Sequence, residues 1–189
     1  MRWLAAARIV PLVAYPLIVY FALDYIEAKY LALLLLVVLV VRYRSKARVF
    51  MRGMEHAAWI GAAVMALFIA AVWWSNDEYL LRLYPALMAT MVLTAFAYTL
   101  RRPPSMIERF ARLQHDDLPP EAVAYTRRVT QVWCLFLLVN AAIAAYSALF
   151  LSRAAWAFYC GFLSYVLMGV LFVGEWLFRR YRYGKEAVS

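Results

Sequence analysis

Few side chains in this sequence have the types and spacing that bond-making chemistry requires. His115 precedes Asp116 and Asp117, and an imidazole beside carboxylates suits proton transfer or a divalent cation. Neighbours on one turn do not converge on one ion without further ligands, so no metal is assigned. His56 follows Glu55 where an apolar run begins, and a haem held between His56 and His115 would need an interface and a loop to meet. Neither histidine is followed five residues later by the aspartate of an acyltransferase-like pair. The chain also lacks His-Glu-x-x-His, a Gly-rich phosphate loop and Gly-x-Ser-x-Gly. No catalytic residue and no cofactor are assigned.

Two polar side chains stand inside apolar runs. Asn140 either contacts a substrate or makes an interhelical hydrogen bond, worth about 1 kcal/mol in lipid. Glu175 lies four residues before Arg179, which makes it either part of a proton or substrate path or half of an i,i+4 ion pair. Cys134 and Cys160 occupy different apolar segments and read as small packing residues.

The elements that would hold these groups are set by composition. Of 189 residues, 67% are apolar and 16% charged, with a mean hydropathy of +0.69. Soluble domains have roughly 45–50% apolar and about 25% charged residues, so this chain cannot hide its apolar side chains in a core of its own. A water-soluble globule is excluded. Six apolar stretches run over about 9–23, 28–41, 57–74, 83–100, 129–151 and 154–178. A bilayer core of about 30 Å takes about 20 helical residues to cross, so the fold class expected is an all-α bundle of six spans, a single membrane domain over 1–189. Asp24 and Glu27 split the first two stretches and predict a tight hairpin. The first stretch, interrupted by Pro11 and Pro16 and without a small-residue cleavage site, reads as a kinked helix rather than a secretory signal.

The net charge of +9 suggests nucleic acid until the cations are located. With the N-terminus inside, seventeen of the twenty Lys and Arg fall on the cytoplasmic side, leaving Lys29, Arg82 and Arg153 outside. Orientation accounts for the charge, and no nucleic-acid partner is expected. Trp3, Trp59, Trp133 and Trp176 would mark the inner headgroup layer, and Trp73, Trp74 and Trp156 the outer one. Both termini are then cytoplasmic, in a multi-pass membrane protein. Ala58, Ala62, Ala66 and Ala70, then Ala141, Ala144, Ala145 and Ala148, then Gly161 and Gly169 form small-residue stripes, expected as helix–helix seams or as faces toward a second copy in a homo-oligomer.

The polar segment 101–128 is strongly punctuated. Arg101-Arg102-Pro103-Pro104 stops the fourth span, and Ser105 with Glu108 forms the capping box of a new helix. Met106, Ile107, Phe110 and Leu113 at helical spacing, with Arg109 and Arg112 on other faces, predict a short amphipathic helix on the inner leaflet. Pro119-Pro120 and Glu121 open a helix that runs into the fifth span, past Arg127 and Arg128. These six arginines are the candidate contact surface for anionic lipid or an acidic cytoplasmic partner.

The string R-R-P-P-S-M-I-E-R-F-A-R-L-Q, continuing D-L-P-P-E-A-V-A-Y-T-R-R-V-T-Q-V-W-C, resembles a family of small bacterial inner-membrane proteins. Genes of that family accompany aryl-polyene or xanthomonadin-type pigment clusters, beside acyl carrier proteins, ketosynthases, an acyl-ligase and acyltransferases. The resemblance covers Arg101 to Cys134 and the six-span pattern around it, and it brings no catalytic residues. It implies an accessory or scaffold subunit for lipid or aryl-polyene assembly at the inner leaflet, with an acyl carrier protein or the acyl-ligase as partner. A small oligomeric transporter or flippase using Asn140 and Glu175, and an acyl- or lipid-modifying enzyme using His56 or His115, are the alternatives.

Overall fold

The computed structural model of the protein describes residues 20–22, 25–27, 29–31, 55–113 and 117–183. The expectations for most of the first two apolar stretches, with Pro11, Pro16 and Asp24, and for His115 and Asp116 fall outside them. Among the described residues all regular structure is helical.

Helix α1 (Glu55–Ser75) contains no proline and ends where Asn76 turns to φ 49°, a left-handed conformation that asparagine tolerates. Asp77 caps the short α2 (Glu78–Arg82) by accepting from the Tyr79 N–H at 2.8 Å. Pro85 sits in the first turn of α3 (Tyr84–Arg101), where its missing N–H costs nothing. The helix stops before Pro103-Pro104, and α4 (Met106–Arg112) follows. Pro120 opens α5 (Pro120–Phe150). Ser152 then caps α6 (Arg153–Phe158), accepting from the Ala155 N–H at 3.2 Å. A π-helical turn over Tyr159–Leu163 joins α6 to α7 (Ser164–Tyr183) without a break.

Two helical stretches are long and apolar enough to cross a membrane, Pro120–Phe150 and Arg153–Tyr181. Only 28% and 22% of their most apolar parts are buried inside the protein, whereas the core helix of a soluble domain is mostly covered. Their apolar side chains therefore face outward. Trp59–Ser75 is a shorter apolar helix. In α3, Thr90, Thr94 and Thr99 return their hydroxyl protons to carbonyls three or four residues back, at 2.7–2.8 Å, and so carry their polarity inside the helix.

Helices α3 and α5 pack antiparallel: Phe96 meets Trp133 at 6.5 Å, while Tyr84 and Ala86 share a core with Ala144 and Ala148. Ala86 and Ala89 are buried on one helix and Ala141, Ala144 and Ala148 on the other, so the backbones approach closely. This seam is the one expected on the fifth span. On α1 Ala62, Ala66 and Ala70 are exposed while Met65, Ile69 and Val72 are buried, so of the two uses expected for this stripe a seam within the chain is not the one seen. Apolar bulk, at the same helical period, occupies the inward face. Gly169 likewise faces open space, since a Cβ there would meet nothing within 4 Å. Trp156 also departs from expectation. It is fully buried and donates its indole N–H to the Arg82 carbonyl at 3.0 Å, so protein and not lipid surrounds its ring.

The connections meet at one end. The Asn76 carboxamide accepts from the Lys29 backbone N–H and donates to Glu27, each at 3.1 Å. Arg82 donates to the Leu151 carbonyl at 2.9 Å, and Arg153 forms a two-pronged pair with Glu78 at 2.9 Å. The turn near residues 25–29, the α1–α2 turn and the α5–α6 turn are thereby tied together. The seam is testable by adding bulk. Ala144→Leu should cost about 1–3 kcal/mol through overpacking, whereas Ala66→Leu should leave the unfolding midpoint in detergent almost unchanged. Equal losses in both variants would place the α1 stripe in a packed interface.

Candidate functional site at the arginine-rich end

The opposite end of the bundle is formed by the end of α3, by α4 and by the first turns of α5. Glu108, although acidic, is nearly fully buried there. One carboxylate oxygen accepts from the Ser105 backbone N–H at 3.2 Å, the reach-back half of the expected capping box. The other accepts from Arg112 Nε and Nη2, at 3.0 and 2.9 Å. Arg109 donates Nε to the Pro104 carbonyl at 3.0 Å, across the corner between α3 and α4. Two of the six candidate arginines thus brace the element that carries them.

Helix α4 is docked rather than free. The Ile107 N–H, a first-turn donor with no partner in its own helix, donates to Thr130 Oγ at 3.2 Å. Thr130 passes its own proton to the Thr126 carbonyl at 2.8 Å, and both threonines are buried. A short helix stands where the amphipathic one was expected, and its first turn rests on α5. Its inward side holds Met106 and the paired Glu108, while Phe110 and Leu113 are exposed. Sequence reading missed Thr126 and Thr130. Their i,i+4 spacing just above the apolar run was the available signal.

Arg101, Arg102, Arg127 and Arg128 are exposed, and none makes an ion pair among the described residues. Arg102 lies over the Tyr98 ring at 5.7 Å, and Arg180 lies over Trp176 at 5.4 Å. Glu175 joins α7 to α5 at this level. It accepts from the Tyr125 hydroxyl at 3.1 Å and lies 3.5 Å from Arg179, while Tyr125 stacks on Phe178.

Deeper in the bundle, the Asn140 carbonyl oxygen accepts from the Tyr159 hydroxyl at 3.0 Å, linking α5 to the π turn. Asn140 and Glu175 are thus both engaged in contacts between helices, and the structure does not bring them together. Cys160 is buried 4.0 Å from the Ser147 hydroxyl, and Cys134 is half-buried on α5; both are free thiols. Among the described residues, no three His, Cys, Asp or Glu side chains converge as a metal site would require. His56 lies in the first turn of α1.

Among the described residues the arrangement offers bonds to anions: guanidinium groups on a braced corner, with exposed apolar side chains beside them. Compared with protein-family models, curated proteins and solved structures, the chain matches none. The docking of α4 can be tested at Thr130. Thr130→Val keeps the shape but removes the acceptor for Ile107, a loss of about 1–3 kcal/mol for an unpaired buried donor. Amides of 107–112 should then exchange with deuterium faster while those of α6 do not change. Unaltered protection of 107–112 would mean that the threonine does not hold the helix.

Proposed function

We propose that this is a multi-pass protein of the bacterial inner membrane with six spans and both termini in the cytoplasm. It acts as an accessory subunit, recruiting or organising enzymes of lipid or aryl-polyene assembly at the inner leaflet. The observation that carries the reading is the exposed pair Arg127 and Arg128 on α5. At 1.5 Å per residue, the 31 residues of α5 extend about 46 Å, well beyond a bilayer core of about 30 Å. Its first turns therefore project into the aqueous phase, where two exposed guanidinium groups suit an acidic protein surface.

The topology is supported by the meeting of the turns near 25–29, 75–78 and 151–153 at one end, with the arginine-rich segments at the other. The resemblance of 101–134 to proteins encoded beside acyl carrier proteins supplies the partner class. A transporter reading needs a polar cavity reaching Asn140 and Glu175, and both side chains already have partners on neighbouring helices. An enzyme reading rests on His56 or His115, and full function in an H56A/H115A variant would remove it.

In a pull-down of the detergent-solubilised protein, an acyl carrier protein or the acyl-ligase should be retained. R127E/R128E should reduce that retention at least tenfold. Undiminished binding by this variant, or reporter fusions that place residue 115 outside the cytoplasm, would overturn the proposal.

A further inference from the structure

We infer that the corner between α3 and α4 is a binding site for anionic phospholipid headgroups, separate from Arg127 and Arg128. The inference rests on the membrane reading above and adds a ligand to it. Depth comes first. Helix α4 is fixed to α5 through the bond from Ile107 to Thr130, and Thr130 lies where the apolar run of α5 begins. The corner therefore sits at the level where the acyl region gives way to headgroups.

Charge comes second. Between Tyr98 and Leu113 the chain carries Arg101, Arg102, Arg109 and Arg112 against a single acid, Glu108. That acid is buried and committed to Arg112 and to the Ser105 N–H. Nothing acidic among the described residues neutralises Arg101 or Arg102, which leaves their guanidinium groups for phosphate. Arg102 lies over the Tyr98 ring and is exposed, so its guanidinium packs on protein while remaining accessible.

The third observation is apolar. Phe110 is 46% exposed and Leu113 is 69% exposed, on the same short element. Water disfavours both, and at this depth acyl chains can cover them while a phosphate meets the arginines. Together these describe a two-part fit, acyl chain against α4 and anionic headgroup against Arg101 and Arg102. A soluble acidic protein satisfies the second part only.

Native mass spectrometry of the detergent-solubilised protein, supplied with phosphatidylglycerol and phosphatidylcholine, tests this directly. The intact chain should retain phosphatidylglycerol in preference, and inorganic phosphate should not displace it. An arginine near an anionic surface contributes about fivefold in affinity, so R101Q/R102Q should weaken the preference roughly 30-fold. R127Q/R128Q should leave it unchanged. Phe110→Ser with Leu113→Ser should weaken retention of both lipids, which keeps the test decisive if the arginine variant fails to fold. Equal retention of the two lipids by the intact chain would overturn the inference, as would loss of preference in R127Q/R128Q alone. Extraction of the chain from membranes by alkaline carbonate would sink the membrane reading itself. A carbonate-resistant chain without lipid preference would sink only this site.

Discussion

Apolar side chains outnumber the interior places this chain can offer them. With 67% apolar residues, the long apolar helices that bury one face leave another apolar face uncovered. The two longest stretches do so along most of their length. The rest follows from that shortage. Inward positions go to whatever lets helices approach, and polar groups are kept near the ends, satisfied within a helix, as by the threonines of α3, or paired across helices, as Asn140 is with Tyr159.

Much of the architecture was legible because it depends on local chemistry. Proline pairs end and begin helices around 103–104 and 119–120, and Ser105 with Glu108 marks a helix start in sequence and structure alike. The pairing of Glu175 with Arg179 is likewise local and readable. Choices among equivalent faces of one helix were not legible. On α1 the alanines repeat every four residues and so do Met65 and Ile69, so periodicity alone cannot say which face turns inward. Trp156 shows the same limit: a tryptophan near a span end fits a headgroup layer, unless a neighbour such as the Arg82 carbonyl claims its N–H.

The candidate surface shows how one residue type divides by neighbour. Six arginines in 101–128 looked equivalent in the sequence. Arg112 closes onto a buried carboxylate and Arg109 onto a carbonyl, while the other four remain outward. The distinction arises from the burial of Glu108, which follows from the docking of α4 on Thr130, a contact between residues 23 positions apart. The i,i+4 spacing of Glu108 and Arg112 is local, but the long-range contact that buries their carboxylate is not.

The unbroken length of α5 has a mechanical consequence. No proline or glycine interrupts it between Glu121 and Phe150, so it bends as a stiff rod rather than hinging. Asn140 lies partway along this rod, and its side-chain oxygen, accepting from the Tyr159 hydroxyl, ties it to the neighbouring helical stretch away from either end.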